Sequence, residues 1–209
     1  MNGATPPGLV CDGLADRRGF RDLFSELRFS VSPGTLLEIT GANGSGKSTL
    51  LQSLAGLRRP EAGQVLWQGS PLNESGDFHR NLRYIGHRSA IKAALTPREN
   101  LQSLLALSGQ GGDTVEPALR ALGLAASIDL PCRQLSAGQK RRVALARLAA
   151  SPGRLWILDE PFSALDEQGR GWVVQAIRDF CEGQGIVILT THHLIDVPGL
   201  QPQRLRLAA

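Results

Sequence analysis

The stretch of the chain that most clearly carries chemistry is residues 41–49, GANGSGKST, in which three glycines precede a lysine and two hydroxyl residues. Small glycines let successive backbone N–H groups converge on an anion. The lysine, Lys47, can reach the outer phosphates of a nucleotide, and the hydroxyl of Ser48 can hold Mg²⁺. An ordinary Gly/Asn/Ser turn before a helix is the alternative. On the first interpretation, the residues at the phosphates are Gly41, Asn43, Gly44, Ser45, Gly46, Lys47, Ser48 and Thr49.

The segments on either side of this loop favour phosphate binding over a simple turn. Leu36–Thr40 is a short apolar run that predicts a buried strand, and Leu50, Leu51, Leu54 and Leu57 recur at helical spacing. A loop between a strand and a helix places the helix N-terminus, with its unpaired N–H groups and the positive end of its dipole, at the phosphates.

Two adjacent carboxylates, Asp159 and Glu160, follow another apolar run, residues 155–158. Such a run predicts a buried parallel strand, and ligands of open α/β sheets bind at the carboxyl ends of the strands. Asp159 could hold Mg²⁺, usually through water, and Glu160 could polarise the water that attacks the γ-phosphate. The pair could instead cap the following turn, but the phosphate loop upstream favours the catalytic interpretation.

A second helix start with anion-binding character lies in LSAGQKRR, residues 135–142. The apolar residues of the following helix are Val143, Leu145, Ala146 and Leu148. A serine N-cap before an exposed basic helix is the structural alternative, and the capping role is compatible with both interpretations. One nucleotide hardly needs two such helix starts in one protomer, so we expect the second to face the nucleotide of another copy.

A length of 209 residues allows one sizeable domain with a full core and room for an inserted lobe. We find neither a signal peptide nor an apolar run long enough to span a membrane. The three cysteines form no CxxC pair, which argues against a disulfide framework or a zinc site. The net charge of +4 could favour anionic lipid or nucleic acid, but scattered arginines on a solvated surface explain it better.

The remaining periodicity predicts an α/β core. Residues 9–40 predict strands joined by a turn at 32–34, and residues 97–123 switch to helical spacing, interrupted at 108–112. Short apolar runs at residues 155–158 and 186–190 predict parallel strands with a helix, residues 168–182, between them. Two further strands are expected at residues 65–67 and 82–85. The tail, residues 201–209, gives no prediction.

Five motifs together resemble the ATP-binding-cassette (ABC) ATPase family over nearly the whole chain. They are a Walker A loop at 41–49, a signature motif LSAGQ at 135–139, a Walker B strand at 155–160, a D-loop SALD at 163–166 and a switch histidine at His192 in TTHH. The resemblance implies a P-loop NTPase core of ABC type in a single domain, 1–209, with an N-terminal antiparallel β region and an inserted helical subdomain at about 88–150.

The resemblance also implies that two subunits close head to tail on two ATP molecules. Each nucleotide would lie between the Walker A loop of one copy and the signature motif of the other. The implied catalytic residues are Glu160 and His192, and the implied Mg²⁺ ligands are Ser48 and Asp159. Further nucleotide contacts are implied at Ser136, Gly138, Gln139 and Asp166.

Two positions depart from the general pattern of the family. The aromatic residue that usually stacks on adenine falls at Arg18, although a guanidinium can stack on a base and Phe20 lies nearby. The glutamine that usually senses the γ-phosphate and Mg²⁺ aligns with His87. We still expect both Arg18 and His87 at the nucleotide.

Within the family, four phrases are most similar to the haem exporter ATP-binding subunits of cytochrome c biogenesis. These are VLWQG at 65–69, YIGH at 84–87, LSAGQKRRVALARL at 135–148 and LWILDEPFSALD at 155–166. The resemblance implies integral membrane partners and a peripheral position on the cytoplasmic face of the bacterial inner membrane. An ABC ATPase for another cargo is the alternative. A soluble nucleic-acid-associated relative is less favoured, since that class usually has two cassettes or a long coiled coil. A P-loop kinase would not explain the signature turn. No nucleic-acid partner is expected.

Overall fold

The computed structural model describes residues 8–107, 112–151, 153–192 and 194–208. Its strands are β1 (Leu9–Arg18), β2 (Arg21–Val31), β3 (Leu36–Thr40), β4 (Ala62–Trp67), β5 (Ser70–Pro71), β6 (Leu82–Ile85), β7 (Leu155–Asp159), β8 (Ile186–Thr190) and β9 (Gln203–Arg206). They form an antiparallel sheet of order β2-β1-β4-β5 and a parallel sheet of order β6-β7-β8-β3-β9. The expected antiparallel N-terminal region and parallel core are therefore confirmed.

The helices are α1 (Lys47–Leu54), α2 (Phe78–Asn81), α3 (Pro97–Leu107), α4 (Val115–Ala121), α5 (Ala137–Ala150) and α6 (Glu167–Glu182). Helices α3, α4 and α5 pack on one another, and their buried residues share one apolar core with α6 and the parallel sheet. The interruption expected at 108–112 lies mostly outside the described residues. A separate lobe at 88–150 and a single domain over 1–209 stay predictions.

The parallel sheet separates two apolar cores, and its strands alternate between them. Leu37, Ile39, Ile157 and Ile188 face α1 and the antiparallel sheet. Their neighbours along the strands face α5 and α6 instead: Leu36, Trp156, Leu158, Val187 and Leu189. Because both faces are covered, these strands read as continuous apolar runs in the sequence.

Two local features differ from the sequence analysis. Helix α1 ends at Leu54, so Leu57 is not part of it; Leu57 lies after Gly56, which has φ 68°, and its side chain is exposed. The leucine spacing suggested a longer helix because apolar periodicity does not report a glycine-terminated turn. The tail forms β9 beside β3. The sequence did not predict this strand, because the segment is short and polar.

The order of the parallel strands brings the candidate residues to one edge of the sheet. Strands β6, β7, β8 and β3 are successive neighbours. His87 follows β6 along the chain, and Glu160 follows β7. His192 follows β8, and the loop at 41–46 follows β3. Since the carboxyl ends of parallel strands share an edge, four segments distant in sequence converge there.

Candidate functional site

A cleft of about 310 Å³ opens at this edge of the sheet. Its lining residues are Arg18, Leu23, Asn43, Gly44, Gly46, Lys47, Ser48, Thr49, His87 and Glu160. Nine of these ten were singled out in the sequence; Leu23, on β2, was not. Gly41, Ser45 and Asp159 do not line the cleft. Ser45 and Asp159 are chain neighbours of residues that do, and the Gly41 carbonyl accepts a hydrogen bond from Lys47.

Helix α1 begins at the cleft, and the position just before its first residue suits only a glycine. Gly46 has φ 95°, a region that favours glycine, and an added Cβ would lie 2.9 Å from Leu23 Cβ. Gly46 also supplies no side-chain cap. The N–H groups of the first turn, which have no partner within a helix, are therefore left for an anion.

Lys47 lies inside the loop. Its side chain is nearly buried, and Nζ donates hydrogen bonds to the carbonyl oxygens of Gly41 at 2.8 Å and Ala42 at 3.1 Å. The Ser45 N–H donates to Ala42 O and closes the turn. A cation beside a glycine-rich loop and a helix N-terminus is a suitable arrangement for binding phosphate.

Glu160 lies between two histidines. His192 Nε2 is 2.6 Å from Glu160 Oε1, and His87 Nδ1 is 3.7 Å from Glu160 Oε2. The carboxylate keeps 22 % of its side chain exposed and borders the cleft. Only His192 is at hydrogen-bond distance from this carboxylate. A carboxylate oriented by one imidazole and still open to solvent can accept a proton from water.

Thr190 orients both acidic residues, and no sequence motif pointed to it. Its hydroxyl donates to Asp159 Oδ1 at 2.7 Å and accepts from the Glu160 N–H at 2.9 Å. Thr190 is fully buried at the end of β8, where it reads as the last residue of an apolar strand. Only the pairing of β7 with β8 places its hydroxyl beside the Asp159 carboxylate and the Glu160 N–H.

The donors near the cleft suit Mg²⁺. Ser48 offers a hydroxyl at the start of α1, and Asp159, which is almost completely buried, offers a carboxylate whose Oδ1 is already oriented by Thr190. Across the described ranges, no group of three or more His, Cys, Asp and Glu could hold a metal by itself. A magnesium ion is usually bound by one or two carboxylates together with substrate phosphates and waters, so the donor set fits.

The signature turn lies apart from the cleft of its own chain. Ser136 Oγ accepts from the Gln139 N–H at 3.1 Å, and Gln139 Oε1 accepts from the Ser136 N–H at 2.9 Å, which forms a complete capping box. An added Cβ on Gly138 would lie 2.7 Å from Ala164 O. This glycine is therefore required where the turn packs against the segment 163–166.

Asp166 caps α6 and does not line the cleft. Its carboxylate accepts from the Gly169 N–H and forms an ion pair with Arg142 of α5. These two contacts, the Gly169 N–H first, hold the pKa of the Asp166 carboxyl below its usual range. The pair ties the start of α5 to the start of α6, and a nucleotide contact by Asp166 stays a prediction.

Arg18 and Phe20 separate clearly in the structure. Arg18, the last residue of β1, lines the cleft, whereas Phe20, in the turn before β2, is fully exposed and does not. Within this chain, Arg18 is the better placed of the two to meet a bound base.

The family model described as ABC transporter matches residues 24–163. The chain is 49% identical over 193 residues to the cytochrome c biogenesis ATP-binding export protein CcmA of Pseudomonas fluorescens, covering 91% of this chain and 92% of the relative. It is also 49% identical over 202 residues to the protein of the same name from Escherichia coli K12, covering 95% and 93%. No helix in the described parts of the chain is long and apolar enough to span a membrane.

Two solved structures share the fold. A putative ABC transporter ATP-binding protein from Pyrococcus furiosus aligns with TM-score 0.81 and 20% identity over 95% of this chain and 96% of its own. An ATP-binding cassette solved as a dimer in a post-hydrolysis state with ADP and Pi aligns with TM-score 0.79 and 23% identity over 88% of each chain.

Proposed function

Because this chain belongs to the ABC transporter family of ATP-binding proteins, we propose that its cleft hydrolyses ATP to drive an exporter whose membrane subunits are separate chains. The observation that carries the proposal is the meeting of three groups at one sheet edge. These are the loop around Lys47, the carboxylate of Glu160 and the two histidines that contact it. A phosphate-binding loop opposite a positioned base is the arrangement that phosphoryl transfer to water requires.

Binding of the nucleotide rests on the backbone of α1 and on Lys47. The first-turn N–H groups and the positive end of the helix dipole would bind phosphate oxygens, and Nζ of Lys47 would exchange its two carbonyl acceptors for them. Asn43, Gly44 and Thr49 border the same space. Arg18 lies where its guanidinium could stack on the base.

Ser48 and Asp159 would hold Mg²⁺ at the phosphates. When bound, the metal would neutralise part of the negative charge on the phosphate oxygens. Thr190 keeps the Asp159 carboxylate oriented through the hydrogen bond to Oδ1.

The hydrolytic step is assigned to Glu160 and His192. Glu160 accepts a proton from the attacking water, and the His192 N–H, at 2.6 Å, holds the carboxylate in place. His87 lies on the other side of the same carboxylate, and it would contact the γ-phosphate or the attacking water.

Two copies of the chain complete each site. Ser136, Gly138 and Gln139 lie outside the cleft of their own chain, so their donors would serve the nucleotide of a second copy, with Asp166 at the same interface. The family resemblance gives this arrangement as a head-to-tail homodimer on two ATP molecules.

The relatives that are 49% identical over more than nine-tenths of the chain support a proposal for the cargo and the location. Both relatives are described as export proteins of cytochrome c biogenesis, and we infer that haem bound for cytochrome c is the cargo. The chain would then sit at the cytoplasmic face of the bacterial inner membrane, attached to integral membrane subunits. No nucleic-acid partner is expected.

Complementation tests this proposal. A bacterium lacking its own similar export protein, but keeping the membrane subunits, would receive the wild-type chain, Lys47→Ala or Lys92→Ala. Lys92 is exposed and outside the cleft, and it serves as the matched control. Wild type and Lys92→Ala should restore haem-stained c-type cytochromes and co-sediment with membranes, whereas Lys47→Ala should sediment without restoring them. Sedimentation and ATP hydrolysis without any restoration by the wild type would contradict the haem assignment and favour another cargo.

A further inference from the structure

Arg141 occupies a position that the proposed catalytic machinery does not explain. It lies on α5, five residues after Ser136, and is 4 % exposed. Within the described ranges, no carboxylate lies at ion-pair distance from it. Burial lowers the pKa of its guanidinium, so the position is costly for a cation.

The guanidinium binds three carbonyl oxygens from two loops. Nη1 donates to Gly86 O at 2.9 Å, and Nη2 donates to Asp159 O at 2.7 Å and to Glu160 O at 3.0 Å. These carbonyls belong to the peptide bond before His87 and to the two peptide bonds that flank Glu160. One planar fork therefore holds two of the loops that bring side chains to the cleft, those that contain His87 and Glu160.

The backbone of Glu160 needs such support. Its φ is 49°, in the left-handed region that a residue with a side chain rarely adopts. Conformations of this kind persist only where the surroundings hold them. Arg141 binds the carbonyls on both sides of Glu160, and Thr190 binds its N–H, so every peptide group around this residue is fixed.

We propose that Arg141 is a positioning residue for hydrolysis, which sets the approach of Glu160 and His87 to the attacking water through the backbone of their loops. This inference rests on the proposed ATPase function. Arg141 does not itself meet the nucleotide, because it does not line the cleft. Its loss should therefore slow turnover and leave ATP binding nearly unchanged.

Arg141→Lys tests the inference, since lysine keeps the charge but has no planar fork to span the three carbonyls. Arg147→Lys is the matched control, because Arg147 lies on the same helix and contacts the Tyr84 carbonyl, outside the two loops. Full-length chains would be assembled with their membrane subunits, and kcat, ATP affinity and unfolding temperature would be measured. We expect Arg141→Lys to lower kcat by about 10- to 100-fold, with ATP affinity within about threefold of wild type. Arg147→Lys should keep kcat near the wild-type value.

A double-mutant comparison separates positioning from general destabilisation. In a Glu160→Gln chain, adding Arg141→Lys should lower the residual rate by less than about threefold, because groups that act as one unit are not additive. A kcat for Arg141→Lys equal to that of wild type would overturn the inference, as would an equal fall in ATP affinity or a full additional loss in the Glu160→Gln chain. If Arg141→Lys does not fold, Arg141→Gln is compared in the same way. Failure of the ATPase proposal is a different result, in which the wild-type chain itself hydrolyses no ATP.

Discussion

Helix α1, whose N-cap residue is Gly46, and helix α5, whose N-cap residue is Ser136, both follow turns rich in small and hydroxyl residues, yet their first turns are built differently. Gly46 contributes no side-chain cap, so the start of α1 offers its backbone N–H groups. At the start of α5, the Ser136 and Gln139 side chains accept from each other's backbone N–H groups. Acceptor atoms are used in that capping box, but the hydroxyl hydrogen of Ser136 and the amide hydrogens of Gln139 remain as donors.

This difference indicates a division of labour between the two helix starts. Helix α1, whose first turn borders the cleft with Lys47 and Glu160, can bind phosphate within one chain. Helix α5 presents side-chain donors away from that cleft, and their proposed partner is a nucleotide held by a second copy. This division would be wrong if substitutions at the two helix starts had the same effect on ATP binding by an isolated chain.

The largest expected effect is at the base that lies opposite α1. Glu160→Gln should bind ATP but hydrolyse it about 10²- to 10⁴-fold more slowly, because loss of a positioned base removes that much rate. With turnover blocked, the ATP-bound dimer should accumulate in gel filtration. Glu74→Gln, at an exposed position outside the cleft, is the control and should behave as wild type. Elution of Glu160→Gln only as a monomer in ATP would count against the dimeric site.

Removal of the Lys47 side chain at the start of α1 should weaken the affinity of the chain for ATP. Lys47→Ala should weaken ATP binding by about 10- to 100-fold in the isolated chain, since hydrogen bonds from a charged group contribute about 1.5–3 kcal/mol. Titration of a fluorescent ATP analogue measures this, with Lys92→Ala as the reference. Equal affinity in Lys47→Ala and wild type would remove the phosphate-loop interpretation.

At the α5 start, two nearly isosteric variants sharpen the contrast. Aspartate and asparagine are both good N-caps, so Ser136→Asp and Ser136→Asn should have similar unfolding temperatures. Aspartate has no donor and would bring a negative charge towards the phosphates of the second copy, whereas asparagine keeps a donor. We expect Ser136→Asp to lose about tenfold or more in ATPase rate relative to Ser136→Asn, with unchanged ATP binding in the monomer. Equal rates in the two variants would mean that α5 does not face a nucleotide.

The smallest expected effect concerns His87, which was predicted at the γ-phosphate and borders the cleft. Glutamine keeps a hydrogen-bond acceptor at this position and leucine does not. If His87 accepts a hydrogen bond from the attacking water, His87→Gln should keep kcat near the wild-type value and His87→Leu should lower it about fivefold, the effect of one lost hydrogen bond. Equal kcat values for the two variants in the assembled complexes would reject this role and leave His192 as the histidine that matters.

The sequence predicted the parts of the site whose chemistry depends on local order. The glycine loop, the acidic pair after β7 and the serine at the start of α5 are each read from a few consecutive residues, as are the apolar strands beside them. Arg141 and Thr190 were not predicted, because their partners lie 18 or more residues away and only the packing of α5 and β8 against β7 brings them together. Strand β9 was missed for the same reason, since its identity comes from pairing with β3.

Mixing two inactive variants tests most directly whether each nucleotide is shared between an α1 start and an α5 start of different copies. A dimer of Lys47→Ala with Ser136→Asp has both defects in one site and none in the other. An equimolar mixture, dissociated and reassembled, should therefore recover activity above that of either variant alone, approaching about a quarter of the wild-type rate for independent sites in random dimers. Activity no greater than the average of the two separate variants would contradict the shared site.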